Sequence, residues 1–192
     1  MMPRNRQIGP LIGRQKYSKK VCWNSAVGIL KENVYLSAEG AFNLFVYWAF
    51  NDSNGLYHLG DVINQFRHGS LVSPVPCCET DLIPTTLFGT TSGAIGVIAS
   101  LPEREYNLVR DLQSTLLKVT KGVGVLSHSE WRVFQCDIDQ NPENEGLVNF
   151  LDGDIIESFL GLERSKKEEI SKALNVSVED LCIKVEKLTR LH

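Results

Sequence analysis

Three carboxylates, Asp152, Asp154 and Glu157, crowd the stretch Asn149-Phe150-Leu151-Asp152-Gly153-Asp154-Ile155-Ile156-Glu157-Ser158-Phe159-Leu160. Acids this close together can do one of two things. They can hold a divalent cation, because hard cations take carboxylate oxygens. Or they can start a helix: Asp152 can accept from a free backbone N–H of the first turn, and Asp154 and Glu157 lie where the helix dipole favours negative charge. The residues that follow favour the second reading. Ile155, Ile156, Phe159 and Leu160 recur at helical spacing, and Gly161 suits the stop. Carboxylates at a helix start are usually caps.

Other candidates for chemistry are thinner. His58, His68, His128 and His192 are scattered, with no i, i+4 pair and no acid at metal-ligand spacing. Cys136 follows His128 too distantly for a local motif. There is no Gly-x-Ser-x-Gly elbow. Gly89, Gly93 and Gly96 do not make a phosphate loop, since no helix opens directly after them and no Gly-Lys-Ser/Thr follows. His68, before Gly69-Ser70, reads as a turn residue, and Trp131 and Phe134 read as core rather than as a platform for stacked bases. These residues describe an interaction or scaffold module and not an enzyme, calling for no metal and no cofactor.

Composition bounds the setting. The 192 residues are 43% hydrophobic and 22% charged, ordinary for a globular protein. No apolar run reaches the roughly 18 to 20 residues of a membrane helix, and no secretory signal opens the chain. The five cysteines (Cys22, Cys77, Cys78, Cys136, Cys182) include a vicinal pair but no Cys-x-x-Cys, so a reducing, intracellular compartment is the simpler reading. Residues 1–31 carry seven Lys and Arg and no acid, which leaves 13 basic against 23 acidic residues in the remainder. A body that acidic is a poor nucleic-acid binder by itself, so nucleic acid is expected only indirectly or weakly. The basic head suits a localisation signal, a flexible arm or a solvated tail.

The elements that must position these residues follow from pattern. Residues 1–20 show no period and are expected to be disordered. Ser25–Leu30 and Ala41–Phe50 read as strands, with a turn at Asn51–Gly55 and a further strand or pair of strands from Leu56 to Phe66. Gly69–Thr86, with Pro74, Pro76 and Pro84, reads as a loop. Leu87–Ala99 reads as a hairpin about a Thr-Ser-Gly turn. From Ser100 the period changes. Ser100 with Glu103 forms a capping-box pair, and Tyr106, Val109, Leu112, Leu116 and Val119 give an amphipathic helix to about Lys121, ended by Gly122 and Gly124. His128–Phe134 is a short element and Asp137–Glu145 a polar loop. Ser165 with Glu168 and Ser177 with Asp180 start two more helices, the last carrying Leu181, Val185, Leu188 and Leu191 on one face. The fold class is therefore α+β, with about six strands followed by helices. The strands have no visible way to close on themselves and would leave apolar edges open, as a piece of a larger repeat architecture would.

The motifs resemble a known family. Phe88-Gly89-Thr90-x-x-Gly93-x-Ile95-Gly96, His128-Ser129-x-Trp131-Arg132-x-Phe134, Asp152-Gly153-Asp154-Ile155-Ile156-Glu157-Ser158-Phe159-Leu160 and the closing Lys187-Leu188-Thr189-Arg190-Leu191-His192 are similar to the C-terminal end of the large subunits of damage-specific DNA-binding proteins, in a plant-like form. The Asp-Gly-Asp element also occurs in paralogues, the large cleavage-and-polyadenylation subunit and a splicing-factor subunit. The resemblance runs from about Trp23 to His192. It implies a partial β-propeller (the last blade strands) over residues 21–100, then a small α-helical C-terminal domain over residues 101–192, after a non-matching basic tail at 1–20. It also implies an adaptor of a cullin-RING ubiquitin ligase acting in DNA repair and protein ubiquitination. Its partners would be WD40-type substrate receptors, its location the nucleus and cytoplasm, and its cullin contact would be lost with the missing propeller of an apparently truncated copy. Trp23 matches a receptor-facing tryptophan, and Val62, Asn64 and Gln65 fall in a second receptor-contacting segment, with Val62 at a position that can be aromatic. The alternative is a fragment of an RNA-processing subunit that binds nucleic acid.

Overall fold

The computed structural model describes residues 23–48, 54–71, 83–119, 127–132 and 150–191. Several sequence expectations fall outside them: the basic tail at 1–20, most of the turn at 51–55, the prolines Pro74 and Pro76, the helix stop at Gly122 and Gly124, Phe134, and the polar loop at 137–145.

The described strands form two antiparallel sheets. The first has four strands in the order β1 (Asn24–Lys31), β2 (Val34–Glu39), β3 (Asn43–Trp48), β4 (Asn54–His58). The second has three, β5 (Ile63–His68), β6 (Thr85–Thr90) and β7 (Ile95–Ala99). Strands β1 and β5 pack on each other. The backbone of Gly28 lies against the Phe66 ring, where a Cβ would meet Phe66 Cβ at 2.9 Å. Side chains alternate across each sheet. Leu30, Val34, Leu36 and Val46 face inward as one cluster, and Ala38, Leu44 and Ile63 as another, with Phe66, Ile98 and Phe150 packed against both.

Strand β2 is absent from the sequence-based expectation, which also began β3 too early. The turn at Ala41 and Phe42 precedes β3, and Phe42 holds a φ of 68°. Leu56–Phe66 resolves into two strands that belong to different sheets, because Gly60 turns at positive φ between them. The hairpin is as expected. Gly93, at φ 93°, donates to the Thr90 carbonyl at 3.2 Å, and Thr90 Oγ1 accepts from the Ala94 N–H at 3.1 Å.

Helices follow the strands. They are α1 (Glu103–Val119), α2 (His128–Arg132), α3 (Gly153–Ser158) running into a 3-10 turn at Phe159–Gly161, α4 (Arg164–Leu174) and α5 (Val178–Thr189). Val109, Leu112 and Leu116 of α1 bury against Ile156, Phe159, Ile170, Leu181 and Val185. The molecule is thus α+β.

Two caps are as the sequence implies. Asp152 accepts from the Asp154 N–H, and Ser177 accepts from the Asp180 N–H at 3.0 Å. Two others differ. Ser100 does not cap α1: its hydroxyl accepts from Lys31 Nζ at 2.8 Å and its N–H donates to the Pro84 carbonyl. Helix α4 begins at Arg164 after Glu163, which makes no side-chain cap, so Ser165 lies inside the helix and Glu168 pairs with Arg164 at 3.1 Å instead. At Ser100 a long cationic side chain takes the hydroxyl that a cap would have used, and at Ser165 the helix has already begun one residue earlier. Helix α4 ends on Asn175 in the left-handed conformation at φ 53°.

Candidate functional site

Two assemblies of residues stand out, and a line of turns joins them. The first gathers around Asp152, which is only 3% exposed. Its Oδ2 receives Arg132 Nη2 at 2.6 Å, Arg132 Nε at 2.8 Å and the Tyr57 hydroxyl at 3.0 Å. Its Oδ1 accepts from the Asp154 N–H at 3.1 Å, and its own N–H donates to Gln113 Oε1 at 2.7 Å. The guanidinium also lies 4.4 Å from the centre of the Tyr57 ring and donates through Nη1 to the His58 carbonyl at 3.0 Å. Four elements, α1, α2, β4 and the start of α3, therefore converge on one residue.

The crowding has consequences. His128 Nε2 comes within 3.2 Å of the same Oδ2 but makes no hydrogen bond there. A carboxylate oxygen offers about two lone-pair sites, and Arg132 and Tyr57 use them. Burial pushes the His128 imidazole below its ordinary pKa; the charge of Asp152 opposes this and Arg132 adds to it. His58 is lowered too, by burial and then by Arg132. Its Nδ1 meets Asn43 Oδ1 at 2.9 Å. The Tyr57 phenol is pushed upward, first by burial and then by the charge of Asp152. Such an arrangement is a clamp. The carboxylate is committed to donors, and a cation would have to displace the guanidinium. Among the described residues no group of three or more His, Cys, Asp or Glu could hold a metal ion. Asp154 is exposed and Glu157 half-buried.

The second assembly is the rim at one end of the first sheet. The Trp23 carbonyl accepts from the Gly40 N–H at 2.9 Å, and the Phe42 carbonyl accepts from Leu59 at 2.9 Å and Gly60 at 3.4 Å. Past Gly60, Asp61 holds the next turn: its carboxylate takes the Val62 N–H at 2.7 Å, the Thr91 hydroxyl at 3.0 Å and the Ser92 hydroxyl. Those hydroxyl bonds, that of Ser92 foremost, hold its carboxyl below the usual range. Trp23, 85% exposed, opens the rim. Val62 is half-buried, and Asn64 and Gln65 are exposed on β5 directly after it. The backbone bonds thus tie the two sequence-predicted segments into one line of turns.

Trp131 corrects an expectation. It is not core but 41% exposed, its ring set edge-on to His58 at 4.8 Å and over Gly60. A five-residue helix with no buried residue cannot enclose an indole. Trp131 joins the rim to the Asp152 clamp, since Arg132 is its neighbour. Phe42, 39% exposed, is a further rim aromatic that the sequence did not mark. Tyr57, Asn43 and Gln113 were missed as well. Tyr57 and Asp152 stand 95 positions apart, so no local pattern connects them.

Comparison with known proteins agrees with these motifs. The family model described as the CPSF A subunit region matches residues 51–161. Over 181 residues the chain is 50% identical to DNA damage-binding protein 1a of Arabidopsis thaliana, 48% to DNA damage-binding protein 1b of the same plant and 49% to DNA damage-binding protein 1 of Solanum lycopersicum. Each match covers 88% of this chain and 16% of the relative, so the chain spans about a sixth of the length of these proteins.

Proposed function

The chain belongs to the CPSF A subunit region family, in the part of it that the DNA damage-binding proteins represent, and from this we propose that it works as a non-catalytic adaptor segment. The reading is that its two sheets are adjoining blades of a β-propeller, the second one strand short. Their rim contacts WD40-type substrate receptors of a cullin-RING ubiquitin ligase, in DNA repair, in the nucleus and cytoplasm. The observation that carries it is the 50% identity over 181 residues to a DNA damage-binding protein. The packing of β1 on β5 supports the blade reading, because stacked neighbouring sheets are what a propeller repeats. The exposed indole of Trp23 supports the receptor reading, since tryptophans are enriched among binding hot spots. Relatives named for DNA damage favour this over RNA processing.

The test is binding of the chain to a purified WD40-type receptor and, separately, to a purified cullin. Receptor binding without cullin binding is expected, weakened by Trp23→Ala at least tenfold, the scale of a hot spot worth about 2 kcal/mol. Asn64→Ala and Gln65→Ala should each weaken it less. Equal binding by wild type and Trp23→Ala would remove Trp23 from the interface, and absence of receptor binding would end the adaptor reading. Tight cullin binding would contradict the division of roles.

A further inference from the structure

The chain leaves the first sheet at His58 and enters the second at Ile63, and the residues between them make the crossing. Both ends are fixed by burial, at His58 and at Ile63. On the far side, the Thr91 N–H donates to the Val62 carbonyl at 2.9 Å, and Asp61 grips the same hairpin turn through the hydroxyls of Thr91 and Ser92. The middle of the crossing is Gly60. Its φ of 86° is one that side chains rarely permit, and its N–H reaches the Phe42 carbonyl only at 3.4 Å. What covers it is the Trp131 indole. A Cβ at Gly60 would meet Cζ2 of that ring at 3.1 Å and Cη2 at 3.7 Å, so the ring lies on the backbone itself, with the His58 imidazole edge-on beside it.

The indole is itself held from two sides. Ahead of it Ser127 and Glu130 close a capping box: the Glu130 N–H donates to the Ser127 hydroxyl at 3.2 Å, and the Ser127 N–H donates to Glu130 Oε2 at 2.8 Å. After it comes Arg132, fastened to Asp152 and to the His58 carbonyl. A helix of five residues is not stable by itself, so these two anchors decide where Trp131 stands.

We infer that Trp131 is a positioning residue for receptor binding: its ring, pressed on Gly60, fixes the crossing that presents Val62, Asn64 and Gln65. This rests on the adaptor reading above, and the partner is the same WD40-type receptor. A segment ordered before the partner arrives does not charge its ordering entropy to the complex. The indole acts through the turn and not by touching the receptor.

Two measurements on the full 192-residue chain test this. Hydrogen exchange needs no receptor. Trp131→Ala should speed exchange at the amides of Leu59 and Gly60 about tenfold, while those of Leu36 and Val46 within the first sheet stay as they are. Titration with the purified WD40-type receptor is the second. Trp131→Ala should weaken binding about fivefold, the scale of ordering a short segment, and Trp131→Phe, which keeps a ring over Gly60, should recover most of that. In a chain already carrying Asn64→Ala and Gln65→Ala, Trp131→Ala should cost almost nothing more, because the residues it positions are gone. Gly60→Ala sets a Cβ against the same ring and should weaken binding by a second route, with circular dichroism checking that each variant folds. An equal loss in both backgrounds would make the indole a direct contact and overturn the proposal. So would unchanged exchange at Gly60 in Trp131→Ala. A wild type that binds no receptor would instead end the adaptor reading, and exchange at Gly60 would still decide whether Trp131 holds the crossing.

Discussion

At the scale of single residues, the histidines beside Arg132 give the molecule a pH dependence of definite sign. Both His58 and His128 have pKa values below the 6.5 of an ordinary imidazole. Between the folded value and 6.5 the unfolded chain binds more protons than the folded one, so stability rises with pH there. The contribution is complete above 6.5 and is lost as pH falls through the folded-state values. Melting followed from mildly alkaline to mildly acidic pH should therefore show a falling midpoint below neutrality. His128→Gln should flatten that slope at little cost at high pH, since Nε2 of His128 has no hydrogen bond to lose. A slope unchanged by the substitution would assign the dependence to other groups. His58 was visible in the sequence only as one of four scattered histidines. What makes it titrate anomalously is a burial built by residues far along the chain.

At the scale of elements, the contact between the two sheets rests on the lack of a side chain at Gly28. An added Cβ would lie 2.9 Å from Phe66 Cβ and 3.0 Å from Cγ. The Cβ cannot move without moving β5, so Gly28→Val should destabilise by about 1–3 kcal/mol, the cost of overpacking a core. Urea unfolding measures it, and Phe66→Leu added to Gly28→Val should restore little, because leucine keeps the Cβ that the added side chain meets. A mutant as stable as the wild type would mean that β1 and β5 are not locked together. The sequence marked β1 and β5 as strands but gave no sign that they stack. How much of an element was legible depended on where its signal lay. Ser177-x-x-Asp180 and Asp152-Gly153-Asp154 are local devices, and both caps formed as the spacing implies. Strand β2 reads Val-Tyr-Leu-Ser-Ala-Glu, whose second half favours strands poorly, and its support comes from β1 and β3 on either side. The cap assigned to Ser100 failed because Lys31, 69 positions away, takes its hydroxyl, and the one assigned to Ser165 failed because α4 begins before it, at Arg164.

At the scale of the whole molecule, strands and helices are joined by a small number of side chains. Phe150, just ahead of α3, packs into both sheet clusters, its ring 5.4 Å from that of Tyr57. Asp152, two residues later, holds α1, α2 and β4 together through Gln113, Arg132 and Tyr57. None of this is readable from the sequence, where Asp152 shows only its capping role and these partners lie on three separate stretches. The arrangement predicts that sheets and helices unfold together. Removing Arg132 is the sharper test, because it leaves a carboxylate that is 3% exposed without its countercharge. Breaking a buried pair from one side costs about 3–5 kcal/mol, whereas replacing both partners costs far less. At roughly 2–4 °C per kcal/mol for a chain of this size, Arg132→Met should lower the melting midpoint by about 10 °C. Arg132→Met combined with Asp152→Asn should recover much of that, since the amide still caps α3 and carries no charge. The signals of Trp23 and Trp131 report on the sheet side, and the far-ultraviolet helical signal on α1, α4 and α5. Coincident transitions by both probes in the wild type, separating in Arg132→Met, would identify the clamp as the coupling between them. Separate transitions already in the wild type would show that the clamp fixes the geometry of the joint without making the two halves cooperative.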